Sequence, residues 1–119
     1  MTTIGQQYSA NGHDFLARAR TYLAEEDLLQ ASEKGWGAAA QMVKAAAEAR
    51  GWRHRSHRDL YAAIDQLVDE TGDDDIRLAF GSAGQLHINF YEGWLSPETV
   101  EAYLAEVAEF VEKLDGLAS

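Results

Sequence analysis

The sequence predicts an all-α fold, an up-and-down bundle of four or five helices, and three observations carry that prediction. Val100, Tyr103, Leu104, Val107, Phe110, Val111 and Leu114 recur at spacings of three and four, opposite Glu98, Glu101, Glu106, Glu109 and Glu112. The segment "WGAAAQMVKAAAEAR", residues 36–50, holds seven alanines, the residue with the highest intrinsic helix propensity. The tetrapeptide "SHRD", residues 56–59, spaces Ser56 and Asp59 as the two halves of a capping box, a helix-start signal.

Taken in order, the first helix is expected over about residues 12–33, where Phe15, Ala19, Tyr22, Leu23, Leu28 and Leu29 form an apolar stripe. Residues 1–11 are expected to be a flexible lead-in, and "EKGWG", residues 33–37, to break or bend the helix. The second helix runs over about 36–51. Its alanines leave little bulk, so a neighbour can approach closely along Ala39, Met42, Val43 and Ala46. The third starts after Ser56 and turns Leu60, Ile64, Leu67 and Val68 inward. The fourth begins near Asp73 after "DETGDDD", because carboxylates are favoured at the positive end of a helix dipole. The last opens with Ser96 as its cap and Pro97 at the first helical position.

One stretch admits two readings. In "LHINFYEGWLSPE", residues 86–98, Leu86, Ile88 and Phe90 alternate with His87, Asn89 and Tyr91 as in a half-buried strand. Ile76, Phe80, Ala83, His87, Phe90 and Trp94 instead follow a helical spacing. The first reading leaves His87 in water. The second puts it on the inner stripe of a helix.

A chain of 119 residues, 46% hydrophobic, is long enough for one core, so residues 1–119 are expected to form a single domain. With no cysteine, a disulfide framework or thiolate metal site is excluded. The start "MTTIGQQYSANGHD" lacks the basic and apolar regions of a secretory signal, and no apolar run is long enough to span a bilayer; a cytoplasmic protein with no membrane partner is expected. Twenty acids against ten bases give a net charge of −10, which opposes binding to duplex DNA.

The bases are clustered nevertheless. "RGWRHRSHR", residues 50–58, contains Arg50, Arg53, Arg55 and Arg58 with His54 and His57. Arg50 and Arg53, near the end of the second helix, suit its negative pole. Arg55 and Arg58 flank the amino end of the third, where a cation is disfavoured unless an anion sits there. A phosphate held by Arg53, Arg55, Ser56, His57 and Arg58 would remove that conflict, with Trp52 either a stacking face for a base or a core anchor.

The long helix ending in a glycine break, the alanine-rich helix, "SHRDLYAAIDQL" and above all "LHINFYEGWLSPETVEAYLAEVAEFVEKL" resemble the HEPN superfamily, in particular its PaREP-type branch, over about residues 12–115. The resemblance implies a left-handed helical bundle, often dimeric, and favours the helical reading of residues 86–98. It also implies one of two habits. Some members are ribonuclease toxins whose Arg-x4–6-His motif holds phosphate and performs acid–base work on the ribose 2′-hydroxyl. Others are non-catalytic, either nucleotide-binding modules or partners of small nucleotidyltransferases, often in toxin–antitoxin-type systems.

Carried over residue by residue, the catalytic motif fits poorly. Nine residues separate Arg77 from His87, and Arg50 and His57 match formally but with Gly51 where active members have a polar residue. The expected function is therefore a non-catalytic module binding a nucleotide, a short RNA or RNA end, or a nucleotidyltransferase-type partner. The alternative is a metal-independent ribonuclease using Arg50, His57 or His87. Trp52, His87 and Tyr91 form a candidate pocket; otherwise His87 is a satisfied core residue hydrogen-bonded to Tyr61, Tyr91 or Tyr103.

No cofactor is expected. The absence of a Glu-x-x-His pair and of EF-hand spacing in "DETGDDD" argues against a metal, and His54 and His57, the only histidines at ligand spacing, sit among arginines. Trp36, Tyr61, Phe90, Tyr91, Trp94 and Leu95 offer more apolar surface than one small bundle is expected to bury, which predicts a homodimer.

Overall fold

The computed structural model describes residues 1–118. It contains five helices: α1 (Ile4–Ala24), α2 (Leu28–Arg50), α3 (His57–Thr71), α4 (Asp75–Glu92) and α5 (Pro97–Ala118); among the described residues there is no strand. The all-α prediction holds, and residues 86–92 are helical.

The first helical boundary lies elsewhere than expected. α1 starts at Ile4 rather than near residue 12, because Thr3 and Gln6 form a reciprocal capping box, so residues 4–11 are helix rather than a flexible lead-in. It also ends early, at Ala24. Glu26 adopts a left-handed φ of 62°, and Asp27 caps α2 by accepting from the Gln30 amide.

"EKGWG" is accordingly helix interior and no break. Gly35 is there because of tertiary packing: a Cβ at that position would lie 2.5 Å from Leu104 Cδ2 and 3.0 Å from Leu86 Cδ1. That close approach overrides glycine's poor helix propensity.

α2 is the central element, with twelve of its 23 residues buried, seven of them alanine. Phe15 of α1 packs toward Gly37, Leu104 of α5 and Leu86 of α4 meet Gly35, and Trp36 lies against Phe80 of α4. α1, α2, α4 and α5 run up, down, up and down. α3 is inserted between α2 and α4 and points the same way as α2: Trp36 meets His57 at one end, and Arg50 meets Glu70 at the other. Residues 51–56 therefore carry the chain back along the bundle.

The later boundaries follow the expected chemistry. Ser56 and Asp59 make the predicted capping box. Asp73 accepts from the Asp75 amide at 3.0 Å, and Ser96 from the Thr99 amide at 3.1 Å. α2, α3 and α4 each stop at a glycine with left-handed φ, Gly51, Gly72 and Gly93, which ends a helix without a Cβ penalty.

Asn89 is buried, with 1% of its surface exposed. Its Nδ2 donates to Ser32 Oγ at 3.0 Å, and its Oδ1 accepts from the Leu95 amide at 2.8 Å. The Ser32 hydroxyl in turn donates to the Leu28 carbonyl at 2.7 Å. This chain ties the end of α4 and the turn into α5 to the central helix.

Candidate functional site

The basic segment divides into parts with different work. Arg50 is a structural clasp. Its Nε and Nη2 donate to Glu70 at 2.9 and 2.6 Å, while Nη1 donates to the carbonyls of Ala46 and Leu117 at 3.0 and 2.8 Å. Donation to the Glu70 carboxylate raises the guanidinium's pKa, and the same bonds hold the Glu70 carboxyl below the usual range. Trp52 lies partly buried against the core with the Arg50 guanidinium 5.6 Å from its ring centroid. Arg50 is thus held at the Glu70 end of α3, away from His57 at its start.

Arg53 and Arg55 are different. With Lys44, Tyr8, Trp52, His54, Glu48, Asp59 and Ile4 they line a groove of about 790 Å³ beside the amino end of α3. Among the described residues, no carboxylate lies within ion-pair distance of Arg20, Lys34, Lys44, Arg53, Arg55 or Arg58, whereas Arg18, Arg50, Arg77 and Lys113 are paired. The Lys44 ammonium sits 5.9 Å from the Tyr8 ring centroid.

Both acids of the groove are engaged. Glu48 Oε2 is 2.8 Å from His54 Nε2, and that histidine ring meets Tyr8 edge-on. Asp59 accepts from the Arg55 amide at 3.1 Å and the Ser56 amide at 3.3 Å, bonds that hold its carboxyl below the ordinary range. The side chain of Asp59 therefore takes up the backbone amide of Ser56, one of the residues expected to hold a phosphate. A ligand in this groove would meet the arginine and lysine side chains rather than that amide.

On α3, α2 and α4 a second cluster assembles. The His57 and His87 ring centroids are 5.3 Å apart, and His87 stacks on the buried Trp36 at 5.0 Å. Glu33 Oε2 lies 3.2 Å from His87 Nδ1, and Tyr91 presents an edge to the same ring at 5.5 Å. Helical spacing explains the geometry. His87 and Tyr91 are four apart on α4, and Glu33 and Trp36 are three apart on α2, so each pair shares a face.

His87 is half-buried, and its hydrogen-bonding partner is Glu33 rather than Tyr61, Tyr91 or Tyr103. Tyr61 packs on Phe80 instead, with its hydroxyl close over Gly84. His57 and His87 thus come together with Tyr91, while Arg50 and Trp52 lie apart from them.

Glu33 and Trp36 escape the sequence reading because a break assigned at residues 33–37 hides their common helical face. Tyr8 escapes it because it falls in the stretch taken as a lead-in. Lys44 and Glu48 carry only the generic four-residue spacing of a helix. Among the described residues, no group of three or more His, Asp or Glu is placed to share a metal ion, and no helix is long and apolar enough to cross a membrane.

A five-helix domain with a central alanine-rich helix, a basic and aromatic groove and a histidine pair is the class of protein these features define. The model of the archaeal PaREP1/PaREP8 family matches residues 8–111, and the chain belongs to that family. A protein of Sulfolobus solfataricus with a crystal structure is similar in fold, with a TM-score of 0.83 and 21% identity, over 92% of this chain and 97% of its own. A search of curated proteins finds no match.

Proposed function

We propose that this chain is a HEPN-like, non-catalytic module that binds a nucleotide or an RNA end through its phosphate in the groove beside α3. The observation that supports this reading most is the convergence on one groove of three cations that make no close ion pair. In a chain with twice as many acids as bases, Lys44, Arg53 and Arg55 line one groove together with two aromatic rings. Arginine forks suit phosphate oxygens, and Tyr8 or Trp52 offers a face on which a base can stack.

Binding of a labelled nucleotide and a short single-stranded RNA tests it. Arg53→Ala/Arg55→Ala should abolish binding and leave the melting temperature unchanged. Affinity of the intact chain should fall with salt at a slope of about −2 in log K against log concentration, the slope expected for roughly three neutralised phosphates of a single strand. Binding that survives the double substitution would refute the site. The resemblance makes a nucleotidyltransferase of a toxin–antitoxin-type system the alternative partner, and such a protein should compete with the nucleotide if it uses the same groove.

The histidine pair favours a second reading, a metal-independent ribonuclease. Two imidazoles 5.3 Å apart, one oriented by Glu33, could divide the work on RNA: one accepts the 2′-hydroxyl proton and the other protonates the departing 5′-oxygen. Arg50, bound to Glu70, would have no part in it. Cleavage of labelled RNA that is lost in both His57→Ala and His87→Ala would establish this reading over the first. An intact protein that cleaves nothing would remove it.

A further inference from the structure

Two side chains of the groove beside α3 are parted where helical spacing would bring them together. Lys44 and Glu48 are four residues apart on α2, the separation at which a lysine and a glutamate ordinarily pair. They make no ion pair with each other. The Lys44 ammonium lies 5.9 Å from the Tyr8 ring centroid, while Glu48 Oε2 lies 2.8 Å from His54 Nε2.

The path of the chain after α2 produces this arrangement. Gly51, with its left-handed φ of 72°, ends the helix, and the segment that follows sets the His54 ring beside Glu48 and edge-on to Tyr8 of α1, 5.4 Å between centroids. The histidine side chain is only 17% exposed, so it is held in place by its neighbours. A carboxylate can only accept, so Nε2 carries the hydrogen of the bond to Glu48. Nδ1 is then the nitrogen left to take up a second proton.

We infer that His54 is a positioning residue of the groove: it holds the Glu48 carboxylate away from Lys44, and a proton taken up by its ring tightens phosphate binding. The inference rests on the reading of this groove as a phosphate site. The titratable and charged groups around the ring are Tyr8 from α1, Lys44 and Glu48 from α2, Arg53 and Arg55 from its own segment, and Asp59 from α3. Asp59 is already held by the Arg55 and Ser56 amides. Glu48 is therefore the carboxylate able to turn on Lys44 or to repel a phosphate. Histidine is the side chain that ordinarily changes charge between pH 5 and 8, and a proton on His54 raises the excess of cations over carboxylates in the groove from one to two. That added charge sits at the Glu48 bond itself, where it also strengthens the hold on the carboxylate.

The probe is a short uridine RNA with hydroxyl ends, because its diester phosphates and bases keep the same charge from pH 5.5 to pH 8. The intact chain should bind it about three- to tenfold more tightly at pH 5.5 than at pH 8, the effect of one added charge within the groove. His54→Gln, which keeps a donor but takes no proton, should lose that dependence on pH. His54→Phe, which keeps a ring against Tyr8 but frees Glu48, should bind at least about threefold more weakly at pH 8, and His54→Phe/Glu48→Gln should recover the loss. Circular dichroism at both pH values checks that each variant keeps its helices. A merely structural histidine would give no such recovery. Affinity that is flat in pH, or a double variant no better than His54→Phe, overturns the inference while binding that still requires Arg53 and Arg55 keeps the groove. No binding at either pH overturns both.

Discussion

Replacing Asn89 with alanine should destabilise the fold more than any surface substitution. The side chain supplies one donor to Ser32 Oγ and one acceptor to the Leu95 amide, and it is 1% exposed. Truncation strands the Leu95 amide in a part-buried turn, at a cost of about 1–3 kcal/mol, and removes a neutral bond to Ser32 worth about 1 kcal/mol. The total is about 2–4 kcal/mol. With an unfolding entropy of roughly 2.1 cal/mol/K per residue, or about 0.25 kcal/mol/K for a chain of this length, the melting temperature should fall by about 8–16 °C. Calorimetry measures it directly. Ser32→Ala, which loses only the second bond and the tie to Leu28, should cost less, and the double variant should cost less than the sum because the two side chains are coupled. A drop of under about 3 °C for Asn89→Ala would mean that water replaces both bonds and that the turn into α5 is not held from α4.

Gly35→Ala should destabilise by about 1–3 kcal/mol, read from urea midpoints, since the new Cβ would meet Leu104 closer than real contacts allow and press tightly on Leu86, so both leucines must shift. Arg50→Ala should lower the melting temperature, because it strips the bonds to Glu70 and Leu117, whereas Arg55→Ala should leave it unchanged. Stability should fall in acid. Asp59, Glu70, Asp73 and Asp115 have folded pKa values below their unfolded ones, so their contribution is complete above the ordinary carboxylate range and is lost as pH falls through the folded values. Urea midpoints at pH 6 and pH 3 measure this, and Arg50→Ala should flatten the dependence because Arg50 is the cause of the Glu70 shift.

Legibility tracked the range of the interaction. Ser56 with Asp59, and Ser96 with Pro97, act within one turn, and the residues alone placed those helix starts correctly. Gly35 and Gly37 read as punctuation because nothing local says that Leu104, Leu86 and Phe15 press against them. That single misreading displaced the α1–α2 turn by nearly ten residues and concealed the face shared by Glu33 and Trp36. His57 and His87 were each visible as candidates, but their meeting depends on α3 pointing the same way as α2, a consequence of residues 51–56 running back along the bundle. In "RGWRHRSHR" the sequence separates Arg50 and Arg53, near the end of one helix, from Arg55 and Arg58 at the start of the next, but does not mark Arg50 as a clasp. Only the arrival of Glu70 and the Leu117 carbonyl separates Arg50 from the rest.

The opposition between local and global charge constrains what the groove can hold. Lys44, Arg53 and Arg55 attract a phosphate at short range, while the net charge of −10 acts against every further phosphate that leaves the groove. At physiological salt the screening length is about 8 Å, so the cations dominate within the groove and the acidic surface dominates a turn of helix away. A long RNA therefore gains nothing beyond its first few phosphates. Affinity should be nearly equal for a trinucleotide carrying a terminal phosphate and for a twenty-nucleotide strand, and competition between the two at fixed salt measures it. Affinity that climbs steadily with length would place the binding surface outside this groove.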